Sequence, residues 1–428
     1  LVEKHRKQGT LVTSNTSGIP IKLMNEGRSN DFKKCFAITH FFNPPRYLNL
    51  FEVVPGPNCD QSVLDFLLEY GEKFLGKTSV LAKDTPAFIG NRIGIFGIMS
   101  LFHQIKNGEF SIEEVDTLTG PAIGRPKSAT FRTADIAGLD TMCHVANGVF
   151  DKCPNDESRN VFKLPEFLNK MLNKNMLGSK TNQGFYKKTK DKNGKTKILS
   201  LDLKTFNYND QKKVKYETLS IARKCKKRDE KFKILINGND KASEFYIENF
   251  ARMFGYVQNR IPEISDDIVS IDAALKTGFG WKEGPFEIWN YIGIKEGVEL
   301  MKQFDLKPAD WIKEIITKEI NSFYQVKNGF IEYYNIESKS FNKMPGQDGF
   351  IILKNVPENQ VIWSNKEARL IDIGDNILNL EFGSKMNAIN QNIIQALDKS
   401  VDIAEKDFKG LVLGNESSHF SAGADLSV

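Results

Sequence analysis

Cysteine is scarce in this chain of 428 residues: Cys35, Cys59, Cys143, Cys153 and Cys225 form an odd set with no C-x-x-C. That spacing excludes a disulfide framework and points to a reducing compartment, the cytoplasm by default. Long apolar runs are also lacking. The longest uncharged one, Ile93 to Phe102, falls far short of the ~18–20 residues a membrane span needs, and no secretory signal opens the chain. Nor is there an excess of either charge: 59 Lys+Arg against 54 Asp+Glu leaves +5, too thinly spread to make a nucleic-acid-binding face. The dinucleotide fingerprint G-x-G-x-x-G after a strand is missing as well, since Gly278-Phe279-Gly280 with Gly284 has the wrong spacing.

What is present is ordinary globular material, 40% hydrophobic and 26% charged with 31 Phe, enough for roughly two to four packed domains. Gly9 to Ser14 reads as a strand entering the polar loop Asn15-Thr16-Ser17-Gly18. Cys35 to Thr39 and Leu48 to Val54 read as further strands with Pro44-Pro45 between them, Ser62 to Phe74 as a helix, and Thr78 to Ala82 as a strand. Strands joined by crossovers predict a parallel α/β sheet, with its ligand loops at strand ends. After Asp84-Thr85-Pro86 the pattern turns helical, starting with the long apolar stretch Ile89 to Ile105.

An internal repeat runs through the helical part. Glu114-Val115-Asp116, Phe131 and Gly138 are echoed by Ser270-Ile271-Asp272, Phe286 and Gly293, an offset of about 155 residues; two copies of one helical unit, packed as a pair, is the expectation. Lys187 to Lys195, with its Asn193-Gly194 turn signal, reads as a solvated hairpin and Arg223 to Lys233 as a linker-like basic run. Beyond Gly346 the pattern reverts to strands at Ala368 to Ile373, Ile377 to Phe382 and Gly410 to Leu413, with a helix over Ile389 to Ala404.

His40 lies where a strand meets a turn, and Glu52 shares the period-2 phase of Leu48, Leu50 and Val54. A carboxylate in that phase is costly to bury unless paired. If the two strands are neighbours, Glu52 holds one imidazole nitrogen and leaves the other to take a proton; the competing reading is an edge-exposed Glu and a capping His. Ser17 in a strand-end loop and Asn91 on an apolar helix are, taken alone, structural hydrogen-bonders, although Asn91 must satisfy both ends of its amide.

Four motifs in order are similar to those of the 3-hydroxyacyl-CoA dehydrogenases: Ser14-Asn15-Thr16-Ser17, His40-Phe41-Phe42-Asn43-Pro44, Glu52-Val53-Val54 and Asp84-Thr85-Pro86-Ala87-Phe88-Ile89-Gly90-Asn91-Arg92. Gly178-Ser179-Lys180, Gln183-Gly184-Phe185-Tyr186 and Gly284-Pro285-Phe286-Glu287 resemble that family's helical segments. Leu370-Ile371-Asp372, Lys385-Met386-Asn387-Ala388, Gly410-Leu411-Val412 and Phe420 to Leu426 resemble the start of an enoyl-CoA hydratase, or crotonase, domain. Dehydrogenase before crotonase resembles the bacterial multifunctional enzymes of fatty-acid β-oxidation.

The resemblance implies an α/β plus all-α chain: a partial Rossmann-like NAD-binding domain over 1–83, a first helical dehydrogenase C-terminal domain over 84–190, a linker region over 191–240, a second helical copy over 241–345, and a partial crotonase domain over 360–428. It implies an internal fragment, inactive alone, whose Gly-rich turn precedes Leu1 and whose crotonase carboxylates follow Val428. It makes His40 the base toward the 3-hydroxyl, Glu52 its orienting carboxylate, Asn43 a support of that dyad, and Ser17 and Asn91 donors to the substrate. Asn15 falls near the nicotinamide of NAD, and Gly423 and Ala424 supply oxyanion N–H groups. An acyl-CoA thioester is the implied substrate, and a thiolase or a further copy of the chain the implied assembly partner. The rival expectation is an acyl-CoA-binding or assembly module without catalysis.

Overall fold

A computed structural model describes residues 1–347, 349–417 and 419–425. They form two compact units, one of 1–323 with 336–338 and the other of 324–335 with 339–425. The boundary falls inside the stretch expected as the second helical copy.

The first unit opens with a four-stranded sheet in the order β1 (Val12–Ser14), β2 (Phe36–Phe41), β3 (Leu50–Pro55), β4 (Thr78–Leu81). β1 and β2 are parallel, as are β3 and β4, but β2 and β3 are antiparallel, which corrects the expectation of an all-parallel sheet. The physical reason is the connection: residues 42–49 are too few for a crossover, so the chain turns back. Helix α1 (Gln61–Lys73) covers the sheet and packs Leu64 and Leu67 against Phe51 and Val53.

Helix α2 (Gly90–Gln104) is the axis of the helical part. Its residues from Gly90 to Phe102 are buried except Asn91 and Ile98, as befits an apolar helix with neighbours all round. It is followed by α3 (Ile112–Thr119), α4 (Phe131–Ala137), α5 (Leu139–Lys152) and α6 (Glu166–Asn173), then by the antiparallel sheet β5 (Tyr186–Lys190), β6 (Thr196–Leu201), β7 (Tyr208–Asp210). Next come α7 (Arg228–Asn237), α8 (Lys241–Gln258), α9 (Ile268–Gly278), α10 (Pro285–Ile292), α11 (Ile294–Lys302) and α12 (Asp310–Thr317). The stretch 191–240, expected as a linker, is therefore folded: two strands and two helices, Glu217–Ala222 and α7, the second of which buries Phe232 and Leu235.

The repeat has a physical basis in side chains that reach forward to pin a helix start. Asp116 accepts from the N–H groups of Thr130 and Phe131 at 3.0 and 2.7 Å, and Asp272 from those of Phe286 and Glu287 at 2.8 and 3.0 Å. Such carboxylates satisfy donors that a helix cannot satisfy itself. Asp135 and Asn290, 155 residues apart, act alike: the first accepts from the N–H groups of Phe185 and Tyr186, the second from that of Phe323. Gly138 and Gly293 end the two pinned helices at φ 93° and 115°, where a side chain would be strained.

The second unit holds a three-stranded antiparallel sheet of β8 (Tyr324–Lys327), β9 (Phe330–Asn335) and β10 (Ser340–Lys343). It also holds a four-stranded sheet of β11 (Val361–Ser364), β12 (Ala368–Asp372), β13 (Ile377–Phe382) and β14 (Gly410–Leu413), with α13 (Gln391–Asp407) between the last two strands. β13 and β14 are parallel, and α13 buries Ile393, Ala396 and Ala404 on the sheet. No described helix is long and apolar enough to cross a membrane.

Candidate active site

The β2–β3 register places His40 directly opposite Glu52. His40 Nδ1 and Glu52 Oε2 are 2.7 Å apart, and Glu52 is fully buried. The second carboxylate oxygen, Oε1, accepts from the N–H groups of Ile89 and Gly90 at 3.0 and 2.9 Å. Three donors and the positive end of α2 thus stabilise a charge that would otherwise be prohibitive to bury. Because every lone pair toward His40 is an acceptor, Nδ1 carries the proton and Nε2 is the basic atom. Nε2 hydrogen-bonds to no described residue.

Two backbone details make this possible. Ala87 and Phe88 adopt φ of 67° and 48°, uncommon for residues with a Cβ, and turn the chain so that the next two N–H groups face Glu52. Gly90 admits the Phe42 ring, whose nearest atom is 2.7 Å from where a Cβ would stand. Phe42 and Phe88 in turn pack edge-on to the imidazole, with centroids at 5.3 and 5.5 Å. None of Ala87, Phe88, Ile89 or Gly90 carries a functional group, so a search for polar side chains passes over them.

The other expected residues fall at varied stations. Asn15, exposed in the loop after β1, accepts from the Phe41 N–H at 3.3 Å, which ties the ends of β1 and β2 together. Ser17 is half-buried in the same loop, and Asn91 half-buried on the first turn of α2; the side chains of both lack a hydrogen bond among the described residues. Asn43 is exposed on the turn before Pro44 and makes no hydrogen bond to the dyad; the support assigned to it comes instead from Ile89 and Gly90. In the second unit the Gly423 N–H is taken by Ser421 Oγ at 3.0 Å, and Ala424 pairs with Ile389. The oxyanion pair is thus reduced to the Ala424 N–H. Leu426, the end of that motif, lies outside the described residues.

A dinucleotide fits part of this arrangement. The loop with Asn15 and Ser17 follows the carboxyl end of β1, and His40 lies at the carboxyl end of the parallel β2, the end at which such sheets bind ligands; the imidazole's Nε2 has no hydrogen bond among the described residues. That is chemistry suited to the nicotinamide end.

Residues 1–85 match the model of the 3-hydroxyacyl-CoA dehydrogenase NAD binding domain, and residues 88–188 that of the 3-hydroxyacyl-CoA dehydrogenase C-terminal domain. The chain is 45% identical over 429 residues to a probable 3-hydroxyacyl-CoA dehydrogenase of Bacillus subtilis, covering 100% of this chain and 53% of that protein. A putative fatty acid oxidation complex trifunctional enzyme of Rickettsia prowazekii is 28% identical, with 99% and 54% covered. The chain thus spans about half the length of the curated relatives it matches. The crystal structure of Escherichia coli 3-hydroxybutyryl-CoA dehydrogenase shares the fold at TM-score 0.53 and 18% identity, over 72% of this chain and 76% of that one. Over residues 1–188, the chain is thus similar to the NAD-binding and C-terminal domains of the 3-hydroxyacyl-CoA dehydrogenases.

Proposed function

We propose that the protein carrying this chain oxidises (S)-3-hydroxyacyl-CoA to 3-oxoacyl-CoA with NAD, and that His40 Nε2 removes the hydroxyl proton. The observation that carries the reading is the buried 2.7 Å contact between His40 and Glu52, closed on its far side by the start of α2. Nicotinamide, when bound, supplies the hydride acceptor for C3. The chain's own part is proton transfer and orientation. Glu52 fixes the tautomer and offsets the imidazolium that forms as the proton arrives. Ser17 and Asn91 donate to the substrate's oxygens, Asn15 holds the strand-end loop beside the nicotinamide, and Phe42 and Phe88 keep water from the imidazole face.

Fatty-acid β-oxidation is the setting of this reading, supported by the Rickettsia relative, with a thiolase or a further copy of the chain as assembly partner. The cytoplasm is its compartment, supported by five unpaired cysteines. Hydration of enoyl-CoA is its finer extension. The support is the β12–β13–α13–β14 arrangement over residues that resemble a crotonase start, with the Ala424 N–H as the donor to a thioester oxygen.

His40→Gln keeps a donor toward Glu52 while removing the base. Acetoacetyl-CoA reduction by the protein carrying this chain is expected to fall about 10²–10⁴-fold in kcat, with the unfolding midpoint little changed. Reduction at the wild-type rate would overturn the assignment.

A further inference from the structure

Neither family match extends beyond residue 188, so neither gives the second helical copy a part in the site. Its helix α9 nevertheless ends against the turn that joins β2 to β3, the strands of His40 and Glu52. The Asn49 N–H of that turn donates to the Thr277 carbonyl at 3.1 Å. Gly278, the last residue of α9, lies on Phe42 and Leu50: a Cβ there would stand 3.3 Å from Cδ1 of the ring and 2.7 Å from Cδ2 of the leucine. Gly90 meets the opposite edge of the same ring, at Cζ and Cε2. The ring that packs edge-on to the imidazole is thus clasped between the start of α2 and the end of α9.

Phe279 adds a third wall. Its ring lies edge-on to Phe42 with centroids 5.7 Å apart, and it rests on Gly94 of α2, where a Cβ would collide with its Cζ and Cε2 atoms. The backbone around it is fixed on both sides. The Phe279 N–H donates to the Leu275 carbonyl at 3.1 Å, Gly280 turns the chain at φ 66°, and the Lys282 N–H donates to the Gly124 carbonyl of the first copy at 2.8 Å. A row of rings therefore leads from the second copy to the base: Phe279, Phe42, His40. The two phenylalanines have no proton to give or take, so what they contribute is position.

We propose that Phe279 is a positioning residue for His40: wedged on Gly94, it holds Phe42 against the imidazole and keeps Nε2 aimed at the substrate hydroxyl. The inference rests on the reading of His40 as the base of a 3-hydroxyacyl-CoA dehydrogenase. Without the Phe279 ring, Phe42 gains a space to turn into and the imidazole loses its edge-on support. A displacement of about 1 Å at a reacting group costs up to about 10²-fold in rate.

Two variants approach the contact from opposite sides. Phe279→Leu keeps an apolar side chain but removes the ring edge, whereas Gly94→Ala suits the helix it lies in and pushes the ring off α2. Each is expected to lower kcat for acetoacetyl-CoA reduction by the protein carrying this chain about 10–100-fold, with KM unchanged. Each is also expected to move the His40 imidazole resonances in spectra of the 428-residue chain with labelled histidine. Because both act on one contact, the double variant is expected to lose little more than either alone. Wild-type kcat or unmoved resonances in Phe279→Leu overturn the proposal, as does a double variant whose losses multiply. A raised KM at unchanged kcat would mean that the ring meets substrate rather than Phe42, and also overturns it. If Gly94→Ala does not fold, Phe279→Leu decides. If the wild-type protein does not reduce acetoacetyl-CoA, the dehydrogenase reading falls, and the imidazole resonances alone decide whether Phe279 positions His40.

Discussion

Glu52 has two oxygens with separate duties: one faces the imidazole and the other the first N–H groups of α2. Glu52→Gln separates them. The amide oxygen still accepts from Ile89 and Gly90, but the amide nitrogen now donates to His40 Nδ1. The imidazole proton must then move to Nε2, which can no longer accept one. A fall of about 10²–10⁴-fold in kcat with a nearly unchanged unfolding midpoint is expected. A variant of near wild-type rate would show that the tautomer is not set by this carboxylate. At this scale much was legible. The period-2 phase of Glu52 marked it as buried and in need of a partner, and a histidine at a strand end offered one. The N–H groups that complete the pairing were not legible, because backbone donors are common to nearly all residues and only the left-handed turn at Ala87 and Phe88 aims them.

Among the elements, α4 shows how a helix start is tied to a distant carboxylate. Asp116 accepts from three successive N–H groups and from Tyr186 Oη, yet burial outweighs these bonds and pushes its carboxyl up to about 6. Asp135, similarly buried, is also pushed up to about 6. With the unfolded value near 3.9, the native state binds more protons than the unfolded state between about pH 4 and pH 6. Stability contributed by these groups therefore falls as pH rises across that window and levels off above it. The difference in unfolding free energy between wild type and Asp116→Asn is expected to move against the wild type by on the order of 2 kcal/mol from pH 4 to pH 7. A difference that moves the other way would show that the hydrogen bonds win over burial. The repeat that contains Asp116 was visible as spaced Asp, Phe and Gly residues. Its purpose was not visible, because a bond that reaches about fifteen residues ahead leaves no local periodicity.

At the largest scale, the two helical copies of the first unit are joined through charge buried among aromatics. Arg92 on α2 donates to Asp156 at 2.6 Å and to Tyr256 Oη on α8 at 2.7 Å, while Arg260 donates to the same Asp156 at 3.0 Å. Phe96 stacks on Tyr256 beside them at 3.7 Å. Asp156→Ala removes the fully buried carboxylate that two guanidinium groups share and leaves them only the more exposed Glu157 and Glu263. A loss of about 3–5 kcal/mol in denaturant unfolding is expected, and a loss under 1 kcal/mol would mean that Glu263 carries both cations. The order of domains was readable from where strand patterns give way to helical ones, and so was the duplication. The mixed sheet was not, since the sequence marks strands more clearly than their direction, and the folded stretch 191–240 was hidden by its own lysines, which read as linker.

The start of α2 has one more consequence. Glu52 gains its second set of donors only when α2 has formed, and α2 is held by Arg92 to the far copy. The sheet alone can bring histidine and carboxylate together, but it cannot neutralise the carboxylate's other oxygen. The carboxylate that orients the base is therefore coupled to the helical pair: a change that frees the start of α2 withdraws the two donors that hold the Glu52 charge in the interior.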